Sequence, residues 1–244
     1  MPEGPSIRIL KEETEHFTGK RILSVSGNSS VDIERLQGKT IRVFKTWGKH
    51  FLICFDDFTV KIHLLMFGTY RINERKETTP RLSLVFENGE ELNFYTCSVK
   101  FLEGDINLHY KWYDDVMNES WSPEKAKESL DKIPKQMICD AVLDQNIFSG
   151  VGNIIKNEVL YRCYIHPESL VGKIPEDKLK EIIDECSIYS FQFLEWKKKY
   201  ELKKHWLAHT KKTCLRCDLP LYKKQTGVKK RRSFFCLNCQ NLYQ

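Results

Sequence analysis

The sequence predicts an α+β chain of more than one domain: an antiparallel β-sandwich or barrel with a leading helix, a helical region, and a closing β-hairpin framed by cysteines. Three observations carry that prediction. Between about Arg21 and Phe94 the chain is built of short β-branched and aromatic runs separated by turn signals. After Ser122 the apolar spacing becomes helical. Finally, Cys214-x-x-Cys217 and Cys236-x-x-Cys239 bracket eighteen residues, the spacing of a four-thiolate metal site.

Residues 6–17 read as a helix, with Ile7, Leu10 and Phe17 on one face. The strand runs include Ile22-Leu-Ser-Val-Ser, Ile41-Arg-Val-Phe, Phe51-Leu-Ile-Cys-Phe, Val60-Lys-Ile-His-Leu and Leu82-Ser-Leu-Val-Phe. Gly38-Lys, Asp56-Asp and Asn88-Gly punctuate them, the pattern of an antiparallel meander. Residues 105–121 read as a linker. Ser122-Pro123-Glu124 is a helix start, with Ser as cap and Pro at the first helical position. Met137, Ile138, Ala141 and Val142 form one apolar stripe, and Leu179, Ile182, Ile183, Cys186 and Tyr189 form another after Pro175.

In the closing segment each Cys pair makes a tight knuckle, and Leu219 to Phe235 can fold as a hairpin turning near Gly227. With all four positions thiolate, no site is left open for water, which predicts one structural zinc ion. From Lys203 to Gln244 eleven Lys/Arg face one acid, Asp218 (+10), whereas residues 1–202 carry 28 basic and 32 acidic residues (−4). Lys223, Lys224, Lys229, Lys230, Arg231 and Arg232 fall on the hairpin, interleaved with aromatic residues, so a polyanion partner is expected. No apolar run is long enough to cross a bilayer, and the N-terminus lacks a basic-then-apolar leader. The nine cysteines are odd in number, and four have metal spacing. A soluble protein of a reducing, cytoplasmic compartment is expected.

Four further motifs carry chemistry. In Met-Pro2-Glu3, removal of Met1 leaves a secondary amine that can attack a sugar or carbonyl carbon, with a carboxylic acid beside it for proton transfer; Pro is also a common second residue. Thr46-Trp-Gly-Lys49 places a lysine at a strand junction. His63-Leu65-Met66-Phe67-Gly68, with Leu64 after the histidine, sets large apolar residues beside a glycine, as core packing or as a wedge entering a base stack. Gly150-Val-Gly-Asn153, between two helical stretches, fits a plain helix–turn–helix loop or a phosphate site at a helix N-terminus.

Together, and in this order along nearly the whole chain, these motifs resemble the formamidopyrimidine-DNA glycosylase / endonuclease VIII family. The resemblance implies a β-sandwich catalytic domain (1–115), a helix–two-turn–helix DNA-binding domain (122–205) and a four-cysteine zinc finger (210–244). It implies a repair enzyme that removes oxidised bases from damaged double-stranded DNA and then cleaves the abasic site by β,δ-elimination. Pro2 matches the family nucleophile, Glu3 its proton donor, and Lys49 the lysine that contacts phosphate and assists elimination. Asn153 matches its phosphate-binding Asn, and Arg231 the finger arginine that grips phosphates and is linked to the second elimination. Leu65, Met66 and Phe67 match the segment that fills the void left by the flipped base. Zinc is the implied metal, with no redox or nucleotide cofactor. A monomer is implied, nucleoid-associated in a bacterium or nuclear in a eukaryote.

The chain departs from the pattern in three places. Ser6 stands where the family usually has a second Glu. Around Ser98-Val-Lys100-Phe101 it lacks the Asp-Pro-Arg-Arg-Phe segment of the 8-oxoguanine branch, Lys100 and Phe101 matching only its end. The stretch before Cys214 is short. The last two departures point to the endonuclease VIII side and to oxidised pyrimidines. The alternatives are an 8-oxoguanine/formamidopyrimidine enzyme, a non-catalytic damaged-DNA binder on the same scaffold, and an unrelated zinc-ribbon protein.

Overall fold

The computed structural model describes residues 2–244, in two compact units that divide between Lys111 and Trp112. In the first unit, α1 (Gly4–Thr14) starts from Glu3, whose backbone is extended, with Pro5 in the first turn, where a fixed φ suits a helix start. The Thr14 hydroxyl turns back onto the Leu10 carbonyl (2.8 Å), and a 3-10 turn, Glu15–Phe17, follows. The expected helix over 6–17 is therefore two elements, beginning earlier. Phe17 still reaches the core, stacked on Phe86 at 4.3 Å.

Eight strands follow: β1 (Ile22–Ser26), β2 (Val43–Trp47), β3 (His50–Cys54), β4 (Phe58–His63), β5 (Thr69–Ile72), β6 (Leu82–Phe86), β7 (Glu91–Tyr95) and β8 (Ser98–Glu103). They form two antiparallel four-stranded sheets, ordered β1-β6-β7-β5 and β2-β3-β4-β8. The expected sandwich is thus present. One core joins the sheets and α1, with Ile7, Leu10, Phe51, Ile53, Val60, Leu84, Phe86 and Phe94 buried in it. Phe51 and Phe94 meet across the layers at 5.9 Å. Burial along β3, β4, β6 and β7 is nearly continuous, and removing these side chains from water drives the packing. β5 and β7 lie outside the apolar runs read as strands. In β7 the apolar run is broken by Asn93, buried because its Nδ2 donates to the Glu74 carbonyl (2.9 Å).

The second unit holds α2 (Pro123–Asp131), α3 (Ile138–Ala141), α4 (Asn153–Arg162), α5 (Glu176–Lys198) and the hairpin β9 (Tyr222–Thr226) and β10 (Arg231–Phe235). Ser122 caps α2 as its spacing predicts, its Oγ accepting from the Lys125 N–H (3.2 Å). On α5 the predicted stripe from Leu179 to Tyr189 is buried, and the helix begins with acids and ends with lysines, as the helix dipole favours. Residues 105–121 are not a free linker. Asp114, Asp115, Val116 and Met117 are buried, and Ser149 N–H donates to the Asp114 carbonyl (2.7 Å). α4 is the centre of this unit: from Ile155 to Tyr161 every residue is buried, polar ones included. No described helix is long and apolar enough to cross a membrane.

Candidate functional site

Pro2 is half-buried, and Glu3, beside it at the start of α1, is fully buried. The Glu3 carbonyl accepts from Ser6 N–H (2.8 Å) and opens the helix. A carboxylate at this end of a helix meets the positive end of the dipole. α1 packs on β2 and β3, whose two-residue connection, Gly48-Lys49, carries the predicted lysine. Gly48 has φ +51°, which a tight hairpin needs at its first central position. Ser6 is half-buried in the first turn of α1.

Strand register gathers a set of basic groups, adding His50 and Lys61, which the sequence reading missed, to His63 and to the expected DNA-binding Lys100. Trp47 pairs with His50, His50 with His63, and Lys61 with Lys100, so His50, Lys61, His63 and Lys100 share one face of the β2-β3-β4-β8 sheet. The His50 and His63 rings meet edge-on at 5.4 Å, and the Tyr110 hydroxyl lies 3.2 Å from His50 Nδ1. Burial, then the charges of Lys61, His63 and Lys49, push the His50 pKa down to about 3. His63 is lowered by burial and by Lys49 and Lys61. Lys61 is lowered by burial and by Lys100. Both imidazoles are therefore neutral near pH 7, and the face carries its charge on lysines. Like charges placed directly opposite on neighbouring strands repel. The Lys61–Lys100 pair thus marks a face suited to an anion. The signal was present as period-two spacing of Lys61 and His63, but the pairing with Lys100 is tertiary.

Leu65, Met66 and Phe67 are exposed at 48%, 46% and 77% on the β4–β5 turn. Leu65 takes φ +52°, and Gly68 N–H donates to the Leu64 carbonyl at 2.7 Å. A Cβ at Gly68 would lie 2.1 Å from that oxygen, so the turn closes only around glycine and forces the three side chains outward.

In the second unit, Asn153 opens α4 after the Gly150 turn (φ +99°), which the Gln145 side chain holds through Gly150 N–H (3.2 Å) and the Val151 carbonyl (3.1 Å). Asn153 Nδ2 donates to the Arg232 carbonyl (2.9 Å), as do Lys156 Nζ and Asn157 Nδ2 (both 3.3 Å). Lys156 Nζ also donates to Ser233 Oγ (2.8 Å), and Asn157 Oδ1 accepts from Phe234 N–H (3.2 Å). α4 therefore fixes the start of β10, where Arg231 is half-buried and Arg232 exposed. At the turn, the buried Asp140 carboxylate accepts from Val228 N–H (2.6 Å) and Lys229 N–H (3.2 Å). Of the hairpin lysines, Lys224 pairs with Glu168 (2.8 Å) and Lys229 Nζ reaches the Asp140 carbonyl (3.3 Å). Lys223 and Lys230 are exposed. Glu158, fully buried, accepts from the amides of Leu207, Ala208 and His209 at 2.7–3.0 Å and ties the chain before the cysteines to α4.

Cys214, Cys217, Cys236 and Cys239 offer sulfurs within 4.8 Å of one another, and Cys214 and Cys239 Sγ are 3.7 Å apart. Thiolates about 2.3 Å from a central zinc sit about 3.8 Å from each other in a tetrahedron. The four sulfurs fit one metal ion, and an all-sulfur donor set suits zinc. Each knuckle closes on a backbone bond, Asp218 N–H to the Cys214 carbonyl (2.9 Å) and Gln240 N–H to the Cys236 carbonyl (3.2 Å).

Comparison with known proteins agrees with this arrangement. Residues 1–97 match the formamidopyrimidine-DNA glycosylase N-terminal domain, and residues 114–189 the formamidopyrimidine-DNA glycosylase H2TH domain, together well over half of the chain. Endonuclease 8-like 3 of Xenopus laevis is 29% identical over 238 residues, covering 90% of this chain. The chain spans only 38% of that longer protein. Formamidopyrimidine-DNA glycosylase of Mycoplasmopsis pulmonis is 28% identical over 280 residues, 98% of each chain. In fold, the chain is similar to a viral DNA glycosylase (TM-score 0.84, 22% identity, 98% of this chain and 100% of that one). It is likewise similar to Lactococcus lactis formamidopyrimidine-DNA glycosylase non-covalently bound to DNA with an abasic site (TM-score 0.86, 24% identity, 98% and 99%). With matching models in consecutive order over both units, the chain belongs to the formamidopyrimidine-DNA glycosylase / endonuclease VIII family.

Proposed function

We propose that the chain is a base-excision DNA glycosylase with abasic-site lyase activity, acting on oxidised pyrimidines in double-stranded DNA. The observation that carries the reading is a fully buried carboxylate, Glu3, directly beside an N-terminal proline at the start of a helix. With Met1 removed, the Pro2 nitrogen bonds to C1′ of the damaged nucleotide while the glycosidic bond breaks and the base leaves. The amine gives up its proton and the C1′–O4′ bond opens, O4′ leaving as a hydroxyl, so that C1′ and the proline nitrogen become an iminium. Glu3 donates the proton that O4′ takes up as the ring opens. Loss of a C2′ proton then expels the 3′ phosphate, and a second elimination expels the 5′ phosphate. In this reading Lys49 assists the first elimination and Arg231 the second.

Leu65, Met66 and Phe67 fill the gap left by the flipped nucleotide, offsetting a flipping cost of about a few kcal/mol. Lys100 and Asn153 hold phosphates. The four cysteines hold one zinc ion, which supplies no chemistry to the reaction and braces the hairpin bearing Arg231. The missing Asp-Pro-Arg-Arg-Phe segment and the relatives named endonuclease 8-like support pyrimidine lesions over 8-oxoguanine. Ser6, in place of the family's second Glu, favours one rival: a non-catalytic binder of damaged DNA.

Borohydride trapping separates the two. Purified protein with Met1 removed is expected to form a covalent adduct on duplexes with an abasic site or an oxidised pyrimidine, and none when Met1 is retained or Pro2 is changed to Gly and its amine blocked. Binding should persist in the blocked forms. An adduct of normal yield with the amine blocked would refute the assignment, and no adduct from the processed wild type would favour the binder.

A further inference from the structure

The knuckle of Cys214 and Cys217 touches the far end of α4, where two tyrosines and an arginine serve no part of the proposed reaction. Tyr161 is 2% exposed, among Ala208, Cys214, Cys236 and Leu221. A hydroxyl in such a place is unfavourable unless it is bonded. It lies 3.2 Å from Cys214 Sγ, and against a thiolate the O–H donates. Arg216, between the two cysteines in sequence, lies over the Tyr161 ring (3.8 Å) and the Tyr164 ring (3.7 Å). Its Nη2 donates to the Tyr161 carbonyl (2.8 Å), so a cation meets the negative end of the α4 dipole.

The helix end is adapted to this contact. Ile165 N–H returns to the Leu160 carbonyl (2.9 Å) and Tyr164 N–H to the Tyr161 carbonyl (3.1 Å), a reversal that usually places glycine where Tyr164 sits at φ +63°. A bulky residue in the left-handed region is strained. Here its ring covers Arg216.

Four thiolates around a divalent ion carry an excess of two negative charges, and Cys214 and Cys236 are fully buried. Such a centre is stabilised by donors and cations just outside the ligands. We propose that Tyr161 and Arg216 form that outer shell, through which the C-terminus of α4 sets how tightly the four cysteines hold a thiophilic divalent ion. The proposal rests on the reading that the cluster binds such an ion. Asn238 Nδ2, 3.2 Å from Cys217 Sγ, serves a second ligand from the exposed side. Because the opposite end of α4 grips the Arg232 carbonyl, one helix joins the ion to the base of β10.

The test uses the full chain loaded with Zn2+ or with Co2+. Tyr161→Phe keeps the ring and removes the donor. It should lower zinc affinity by about 10- to 100-fold in competition with a chromophoric chelator, and shift the sulfur-to-cobalt charge-transfer absorption. Tyr164→Gly relieves the backbone yet uncovers Arg216. It should also weaken metal retention, whereas a purely conformational role for residue 164 predicts no loss, and it keeps the question open to decision if Tyr161→Phe fails to fold. Wild-type affinity and an unshifted band in both variants would overturn the proposal alone. A wild-type protein that binds neither ion would remove the metal reading and the proposal together.

Discussion

His50 is a basic side chain kept neutral first by burial and then by the charges around it, and that has a measurable sign. Its folded pKa of about 3 lies below the ordinary histidine value of about 6.5, so the unfolded chain binds more protons between those limits. The stability of the neutral form is fully present above about pH 6.5 and is lost as pH falls toward 3, at no more than about 1.4 kcal/mol per pH unit for one proton. Lys49, Lys61, His63 and Tyr110 all face this ring and oppose its protonation or hold its neutral form. The melting temperature of wild type should therefore fall further between pH 7.5 and pH 5 than that of His50→Gln; equal falls would show that His50 does not titrate as described. On the same face, Lys61→Ala should weaken duplex binding and reduce the slope of log Kd against log salt by about 1, as for one lost phosphate contact. An unchanged slope would show that Lys61 meets no phosphate. Pro2, Glu3 and Lys49 stand out in the sequence as candidates because each sits in a short local motif. His50 and Lys61 do not, because their setting arises from pairing with His63 and Lys100 on other strands.

Among elements, the hairpin shows how tightly its position is set. Gly227 takes φ +69°, and a Cβ there would lie 2.2 Å from Asp140 Oδ2, the carboxylate that holds the turn. Gly227→Ala is therefore expected to lower stability by about 1–3 kcal/mol and to open the turn, read as a lower melting temperature and faster proteolytic cutting at residues 227–230. Wild-type resistance to the protease would contradict the described fit. The hairpin itself was legible, since cysteine knuckles and a central glycine are local signals. α4 was not. Lys156, Asn157 and Glu158 carry no motif, yet all three are buried because they satisfy the carbonyl of Arg232 and the amides of residues 207–209 and 234. Hydrophobic periodicity carries no trace of such a helix, whose polar groups are structural.

For the whole molecule, the proposed reading couples charge to metal. The closing forty-two residues hold a net +10 against −4 for the rest, so the proposed polyanion contact is expected to concentrate on the cysteine-framed segment. Cys236→Ser, or zinc removal by a strong chelator, is expected to lower duplex affinity by about tenfold or more at low salt, checked by anisotropy titration, because the knuckles that frame β9 and β10 lose their common centre. Unchanged affinity in protein shown to be metal-free would refute that coupling. The order of the sandwich, helical region and finger was legible because each has its own local pattern. The packing of residues 105–121 was not, since Asp114 to Met117 look like loop residues until the Ser149 backbone pairs with them.

The turn from Leu64 to Gly68 has a chemical liability built into it. By driving its side chains outward it leaves Met66 46% exposed, within reach of peroxide. Oxidation to the sulfoxide would turn an apolar, flexible side chain into a polar one, while Leu65 and Phe67 resist the same reagent. The backbone would not change, since its shape is set by Gly68 and not by the tip. Oxidative ageing of this protein would therefore be felt first as a blunted tip on an intact scaffold, reversible by sulfoxide reduction, and invisible to any assay of folding.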